Sequence, residues 1–294
     1  MLISTPLETQ VRAQLLALRG NDYQDFIVKL LFLIHGADGF QDLRRTGDQG
    51  SDGLIRSEQR SVACYGPDEK KFAAFKKKID GDYAAYKKNW LATHPHWRVY
   101  INRDPSPEET KLVGRLHKDG QLWGVTSVME TIRTIPWHQS ITLFRILQID
   151  ESLIGRDFLQ PMLSDLVSER VDGDAGEYGK RAPEIEAKIR ANYAEHEIDE
   201  AIGLATLTFD QQAAADAALK GYDDSDLNRI KLRVKSDFSS TPSTASFGDR
   251  FNALIQRYVD QYNSGNDDGL SFYIRGLVTV LFAQCIFGVK PRDE

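Results

Sequence analysis

The chain has 294 residues, of which 41% are hydrophobic and 27% are charged. This is ordinary globular composition and length for about two domains, and it excludes collagen-like and disordered chains. Its 2 cysteines exclude a disulfide framework or a cysteine-rich zinc site, and its net charge of -6 argues against a uniformly basic nucleic-acid-binding protein.

The charge is unevenly divided along the chain. Residues 1–150 carry 21 Lys and Arg against 18 Asp and Glu, a net of +3, and the remainder has a net of -9. The first half could therefore contact a polyanion, whereas the acidic second half is not expected to form a nucleic-acid surface, and a net of +3 leaves the argument to local pattern. The first residues lack the pattern of a secretory signal, and the longest apolar run, near residues 276–289, is too short to span a bilayer. We therefore expect a soluble, cytoplasmic protein without a membrane partner.

The first half predicts alternating helices and strands. Helices are expected at 8–19, 22–35, 68–92 and 107–120, and strands at 40–45, 53–56, 61–65, 97–102 and 122–128. Gly20 and Gly36 end the first two helices, and Ser106 caps the fourth. This order predicts an α/β domain at residues 1–147, with a mixed sheet flanked by helices.

The second half, residues 148–294, predicts an all-α domain. A polar loop is expected at 171–181 and a linker at 239–246. Helices are expected at 183–205, from 247 onward, and at 269–289.

The densest chemical signal is the heptapeptide GDQGSDG at residues 47–53, which lies between two predicted strands. A carboxylate at the start of a strand, as at Asp52, is a ligand of the kind that Mg²⁺ prefers. Asp-Gly is also a common hairpin turn. The heptapeptide alone leaves both interpretations open, and the turn is the commoner one.

The helix with Asp25, the Gly-Ser-Asp-Gly-Leu-Ile turn, the strand SVACY and the following helix together resemble the restriction-endonuclease-like superfamily of PD-(D/E)xK nucleases, most closely its Mrr-like branch. The resemblance covers roughly residues 20–130. It implies a restriction-endonuclease-like sheet and a metal-dependent endonuclease that hydrolyses phosphodiester bonds of double-stranded DNA. On that match Asp52 binds Mg²⁺ or Mn²⁺, and Asp25 is a second catalytic and metal-binding acid. The alternative for Asp25 is an ordinary helix-surface pair with Lys29.

The sequence departs from the family pattern on the third strand, where Ala63, Cys64 and Tyr65 stand in place of Glu or Gln, any residue, and Lys. Members of the superfamily can supply the missing group from the next helix. There Lys78 or Lys71 would lie beside the sheet, and Asp82 follows Lys78 by four residues. An inactive relative remains the alternative, and a Lys–Asp pair at that spacing is also common on a solvated helix surface. Cys64 is expected to be a buried structural thiol.

The same helix is amphipathic at about 100° per residue. Its predicted apolar face, expected to pack in the core rather than stack on bases, consists of Phe72, Phe75, Ile79, Tyr83, Tyr86 and Trp90. Lys70, Lys77 and Lys88 point away from that face. They are candidates for contacts with the DNA backbone, or for a solvated surface.

A second resemblance concerns the wider setting. The Tyr65-Gly66-Pro67 junction, the Lys-rich helix, the strand at 97–102 and the segment FAQCIFG at 282–288 are similar to nuclease-like effector subunits of bacterial anti-phage systems of the ABC three-component or Lamassu type. This implies an SMC-type or ABC-type ATPase and an accessory subunit as partners, and a homo-oligomer. The alternatives are a catalytically degenerate scaffold or DNA-end sensor, and an interaction subunit without DNA contact.

Overall fold

The structure is a computed structural model that describes residues 4–43, 49–168, 184–263, 268–284 and 286–291. The chain divides into two compact units, residues 1–149 and 150–294. The sequence places the domain boundary after residue 147.

The N-terminal unit alternates helices and strands. Its elements are α1 (Thr5–Ala17), α2 (Gly20–Gly39), β1 (Phe40–Asp42), β2 (Gly53–Ile55), β3 (Arg60–Tyr65), α3 (Phe72–Asn89), β4 (His96–Ile101), α4 (Pro107–Leu116), β5 (Gln121–Trp123), α5 (Val125–Thr134) and α6 (Trp137–Ile146). The predicted mixed α/β architecture is therefore confirmed.

The five strands form one sheet in the order β1-β2-β3-β4-β5. The first three are antiparallel, with Asp42 opposite Gly53 and Gly53 opposite Val62. The last three are parallel, and Ala63 pairs with Val99. β3 is thus the strand at which the antiparallel and parallel parts of the sheet meet. A parallel pair needs a long crossover, and α3 provides it between β3 and β4.

Two layers of side chains cover the sheet. Alternate residues of a strand point to opposite faces. Ala63 and Val99 belong to the apolar cluster under α3 and α4, together with Phe75, Ile79, Tyr86, Trp97, Ile101, Leu112 and Val113. The neighbouring Cys64 has the opposite orientation, beside Tyr23 of α2. This is the buried position that the sequence predicts for this thiol.

The predicted apolar face of α3 is confirmed at its centre. Phe75, Ile79 and Tyr86 are fully buried, and Tyr83 and Trp90 pack against the same cluster. Phe72 is the exception, since it is 36% exposed at the first helical position.

Several predicted boundaries in this unit are wrong, among them the start of α3 and the end of β5. The helix predicted from Asp68 begins at Phe72, because residues 68–71 are exposed and contribute no buried side chain that would stabilise another helical turn. The strand predicted at 122–128 ends at Trp123, and α5 follows. The passage from β5 to α5 needs a glycine at position 124. A Cβ atom on Gly124 would clash with the carbonyl oxygen of Arg103, from which it would stand 2.4 Å away.

The C-terminal unit is helical in every element that the structure describes. The helices are α7 (Glu151–Ser168), α8 (Ile185–Asn192), α9 (Ile198–Leu207), α10 (Phe209–Leu219), α11 (Asp224–Ser239), α12 (Phe247–Tyr262) and α13 (Asp268–Ala283), with a 3₁₀ turn at Glu195–Glu197 before α9. The polar loop predicted at 171–181 lies outside the described residues. Across the described parts of both units, we find no helix with the length and hydropathy needed to cross a bilayer.

Two helices predicted for this unit are too long. The helix predicted at 183–205 divides after Asn192, because Glu197 accepts a hydrogen bond from the backbone N–H of Ala194 (3.0 Å) and so starts a new helix. The final helix ends at Ala283 and not at Val289, since Val289 turns back to α8. There the side chains of Lys188 and Asn192 donate to its carbonyl oxygen at 3.0 and 2.9 Å.

Candidate functional site

Asp52 lies where the chain enters β2, and its backbone joins two other strands. Its N–H donates to the carbonyl of Val62 on β3 at 2.7 Å, and its own carbonyl accepts from the N–H of Leu43 at 3.0 Å. The Oδ2 atom accepts a 2.6 Å hydrogen bond from the N–H of Cys64. The residue is only 7% exposed. Asp52 is therefore a buried carboxylate held against the middle of β3.

The turn before Asp52 is fixed by its own polar groups. The buried hydroxyl of Ser51 lies 2.8 Å from the carbonyl of Gly53 and 3.3 Å from that of Val62, and it donates to these oxygens. Gly50 adopts a φ of 86°, which favours glycine. Of the heptapeptide, residues 47 and 48 lie outside the described part of the chain.

The same turn lies directly on α3. The amide of Asn89 donates to the carbonyl of Gln49 at 3.2 Å. A Cβ atom on Gly50 would stand 2.5 Å from the carbonyl oxygen of Asp82 and 2.5 Å from the nitrogen of Tyr86. The turn that carries Asp52 and the middle of α3 are therefore in backbone contact.

Lys78 and Asp82 lie on this part of α3. The Nζ atom of Lys78 is 2.6 Å from Oδ1 of Asp82, and the Asp82 side chain is mostly buried. The predicted pair at four-residue spacing is present. Lys71, the other lysine that the sequence offers, is exposed at the helix start and pairs with Glu69. Lys78 is thus the lysine nearer to the turn along the helix.

Ala63, Cys64 and Tyr65, which stand in place of the family pattern, lie on β3 alongside Asp52. Cys64 donates its N–H to the Asp52 carboxylate. Ala63 and Tyr65 face α3, where Ala63 is buried and the Tyr65 ring packs 6.0 Å from that of Phe75. Their side chains offer neither a carboxylate nor a cation to this region.

Asp25 lies on a different surface. The buried side chains of α2 include Tyr23, Phe26, Ile27 and Leu30, and Asp25 lies on the opposite, exposed side of the helix at about 100° per residue. Asp25 is therefore exposed to solvent, whereas the carboxylate of Asp52 is buried.

The three candidate DNA-contacting lysines are all exposed. Lys77 and Lys88 lie on the outer side of α3, whereas Lys70 precedes the helix and is not part of its periodic surface. Within the described residues, no carboxylate pairs with any of these three side chains. Lys76, by contrast, pairs with Asp80.

A buried polar network on the other face of the sheet was not predicted. Arg98 on β4 donates to Gln121 (2.9 Å), lies 3.2 Å from Glu58, and places its guanidinium 3.7 Å from the centroid of the Trp123 ring. Burial raises the pKa of Glu58, but the hydrogen bond from Arg60 and the charge of Arg98 outweigh it and hold this pKa below its usual value. The alternation of Arg98 and Tyr100 with apolar neighbours was the signal in the sequence.

A second unpredicted pair joins Arg103, just after β4, to Glu109 on α4. Both side chains are buried and form an ion pair, and Glu109 also accepts from the N–H of Ser106 at 2.8 Å. The pair links the end of β4 to the capped start of α4.

Among the described residues, no cluster of three or more His, Cys, Asp or Glu side chains is arranged to hold a metal ion. Among the described residues, Asp52 belongs to the turn and Asp82 to the part of α3 that the turn contacts. Mg²⁺ is commonly held by one or two carboxylates, with water and substrate phosphate oxygens as the other ligands, so the donor chemistry is compatible with this ion.

Comparison of the chain with family models, with curated proteins and with solved structures finds no match. The functional assignment therefore depends on the residues and their geometry.

Proposed function

We propose that the N-terminal unit is a Mg²⁺-dependent DNA endonuclease domain of the restriction-endonuclease-like kind. The observation that carries the proposal is the buried Asp52 carboxylate in a turn whose backbone lies against α3 beside the Lys78–Asp82 pair. An acid at the entry to a strand, with a lysine and a second acid on the helix that its turn contacts, is a set that can support metal-dependent phosphodiester hydrolysis.

Each residue has a stated role in this proposal. Asp52 supplies a metal ligand, and Asp82 either joins the metal ligands or orients Lys78. When bound, Mg²⁺ would polarise the phosphate and lower the pKa of the attacking water. Lys78 stabilises the negative charge that grows on the phosphate. Asp25 is the weakest member of the predicted set, because it lies on the exposed side of α2.

The outer side of α3 is the proposed DNA-contacting surface. Lys77 and Lys88 are exposed there without a paired carboxylate in the described part of the chain. Contacts of this kind bind phosphates without reading sequence, so the affinity should fall steeply as salt increases.

The helical unit is the proposed docking and self-association domain. α9 consists mostly of apolar residues, yet none of its side chains is buried. Leu207 at its end and the adjacent Phe209 are each 72% exposed. We infer that a partner covers this surface in the working assembly, in line with an effector subunit of a cytoplasmic anti-phage complex that contains an SMC-type or ABC-type ATPase and an accessory subunit.

The second candidate function is a catalytically degenerate nuclease fold that serves as a scaffold or DNA-end sensor. The observation in its favour is that Ala63, Cys64 and Tyr65 place no ligand or cation beside Asp52. On this alternative, the hydrogen bond between Asp52 and Cys64 only closes the turn.

Plasmid nicking by the purified full chain distinguishes the two. We expect nicking with Mg²⁺ or Mn²⁺ that Asp52→Asn and Lys78→Met abolish. The matched control Asp38→Asn, which changes an exposed carboxylate on α2, should cut like the parent. Calorimetric titration with Mn²⁺ provides the second readout. Absence of both nicking and Asp52-dependent Mn²⁺ binding would select the scaffold.

DNA binding is tested separately by mobility shift at low salt. Lys77→Glu with Lys88→Glu should weaken binding about tenfold or more. Lys111→Glu, an exposed lysine on α4, is the control. If the parent does not bind DNA even at low salt, the proposal of a DNA-contacting surface fails.

A further inference from the structure

The segment at residues 286–289 of the helical unit contacts two different parts of that unit. We call this segment the strap. The Phe287 side chain is 5% exposed, and its ring centroid lies 4.6 Å from that of Phe238 on α11 and 6.2 Å from that of Phe251 on α12. Two residues further on, Val289 is hydrogen-bonded to α8. The strap therefore connects α8 to α11 and α12.

The contact between the strap and α8 is made by main-chain atoms of Val289. Its N–H donates to Oδ1 of Asn192 at 2.6 Å, and its carbonyl oxygen accepts from Nδ2 of Asn192 at 2.9 Å and from Nζ of Lys188 at 3.0 Å. The Asn192 side chain thus pairs with both backbone polar groups of one residue, as a neighbouring strand would. Val289 itself is 65% exposed, so hydrogen bonds rather than burial of its side chain hold this end of the strap.

Gly288 allows the strap to approach Asn192 this closely. Its φ of 77° favours glycine. A Cβ atom on Gly288 would stand 2.6 Å from Oδ1 of Asn192 and 3.1 Å from a ring carbon of Phe247. A larger residue at position 288 would therefore displace the strap from α8.

The strap holds a part of the unit that buries few side chains. We call residues 185–207, which form α8, the 3₁₀ turn and α9, the arm. Lys188 and Ile189 are buried in the arm, and α9 buries no side chain. By contrast, α10 is shorter than the arm and buries Ala214, Ala215, Ala218 and Leu219. Segments with few buried apolar side chains open locally at a lower free-energy cost than the core around them.

Further contacts attach the middle of the arm, and a single residue joins its end to α10. The ring centroid of Tyr193 lies 5.1 Å from that of Phe247, and Glu197 accepts a hydrogen bond from the hydroxyl of Ser246 at 2.8 Å. Thr208, with a φ of -100° and a ψ of 18°, lies between α9 and α10. Residues at the ends of helices commonly serve as hinges, so Thr208 is the expected pivot of the arm.

We propose that the strap is a release device for the arm. When the hydrogen bonds between Val289 and Asn192 break, the arm detaches as one piece while α10, α11, α12 and α13 stay folded. Opening exposes the buried Ile189 and the Tyr193 ring beside the apolar residues of α9. The strap thereby controls how much apolar surface the helical unit presents. This device operates within one chain, so it is independent of the proposed nuclease chemistry and of the proposed self-association.

The test is amide hydrogen exchange of the full chain, measured by mass spectrometry at low protein concentration. In the parent protein, the arm should exchange at least about tenfold faster than α10 and α11. Asn192→Ala and Gly288→Ala change opposite sides of the contact, and each should accelerate exchange in the arm by about tenfold more, which is the usual effect of losing one or two hydrogen bonds. Exchange in α10 and α11 should not change. Val289→Ala is the matched control, because it keeps the main-chain atoms that bind Asn192.

Three outcomes would overturn the proposal. The first is equal exchange of the arm and of α10 in the parent protein. The second is unchanged exchange of the arm in both Asn192→Ala and Gly288→Ala. The third is an equal acceleration of the arm, α10 and α11 in these variants, since the strap would then stabilise the whole unit and release no part of it. The first comparison uses the parent protein, so it stays decisive if a variant fails to fold.

Discussion

Gly50 lies against the backbone of α3, so that a Cβ atom on it would stand 2.5 Å from the carbonyl oxygen of Asp82. The turn that carries Asp52 and the helix that carries Lys78 therefore meet through main-chain atoms. Backbone contacts leave little freedom for the two elements to separate. The relation between the turn and the helix is accordingly a property of the fold.

Replacement of Gly50 by alanine should destabilise the N-terminal unit. The φ of 86° costs a non-glycine residue about 1–3 kcal/mol, and the clash with α3 adds to this. Urea denaturation measures the change. Gly81→Ala is the control, since a Cβ atom on this helical residue has no neighbour within 4 Å and should stabilise α3 by about 0.5–1 kcal/mol. Equal stability of Gly50→Ala and the parent would contradict the packing described for the turn.

Two substitutions of Asp52 separate its structural role from its chemical role. Asp52→Ala removes the acceptor of the buried Cys64 N–H and should cost about 1–3 kcal/mol of unfolding free energy. Asp52→Asn keeps an oxygen acceptor and should cost less, although it should abolish nicking. Chemical denaturation and nicking are measured on both variants. A result in which Asp52→Asn is as unstable as Asp52→Ala would mean that the negative charge itself holds the turn.

The buried pair of Arg103 and Glu109 should be strongly coupled. Arg103→Met alone leaves a buried carboxylate without its cation and should destabilise the protein by about 3–5 kcal/mol. The double variant Arg103→Met with Glu109→Gln should recover part of that loss. A double-mutant cycle from urea denaturation gives the coupling energy, and additive effects would count against the pair.

His117 should make stability depend on pH. Burial lowers its pKa, although Asp119 and the backbone of Pro95 oppose this, and its Nδ1 accepts from the N–H of Asp119 at 3.1 Å. The unfolded chain therefore takes up a proton below about pH 6.5 that the folded protein resists, so stability falls as the pH decreases. His117→Gln should flatten the change between about pH 8 and about pH 5.5. An NMR titration of the folded protein in which this ring titrates at or above about 6.5 would refute the expectation.

The exposed apolar end of α9 should drive self-association. Leu207→Glu and Phe209→Glu should each shift the chain toward the monomer in sedimentation analysis, because a charge in an apolar interface must be desolvated. Val289→Glu, at another exposed apolar residue, should have no effect. A parent protein that is monomeric at every accessible concentration would contradict self-association, and the surface would then be assigned to contact with a different subunit.

Strong local patterns in the sequence predicted most elements correctly. The spacing of apolar residues predicts α3, and the capping box at Ser106 predicts the start of α4. The errors lie where two patterns compete. Trp123 and Val125 fit a strand at period two, but Val128, Met129 and Ile132 continue from Val125 at helical spacing and decide the outcome. The break before α9 required recognition of Glu197 as a capping residue.

The sequence was sufficient to predict which residues belong to the candidate site, but it was not sufficient to predict how they are arranged. The sequence identifies Asp52 and Lys78 as chemically able residues, and the structure shows that the turn of one lies against the helix of the other. Their relation depends on how α3 is rotated against the sheet, which long-range packing sets. Arg98 and Arg103 were not predicted as buried residues, because buried arginines are unusual. The partner of Arg98, Glu58, is distant in the sequence. The partner of Arg103, Glu109, lies in the first turn of a helix, where an acid is common.

The change from antiparallel to parallel pairing at β3 has a consequence for the order of assembly. The antiparallel strands β1, β2 and β3 are joined by shorter connections and can form early, whereas β4 joins only after the chain has passed through all of α3. The Gly50 turn can meet its helix only when that crossover is in place. Local opening that detaches α3 would therefore loosen the Gly50 turn first, and the Cys64 amide hydrogen, which the Asp52 side chain accepts, should exchange sooner than the amide hydrogens that pair β2 with β3.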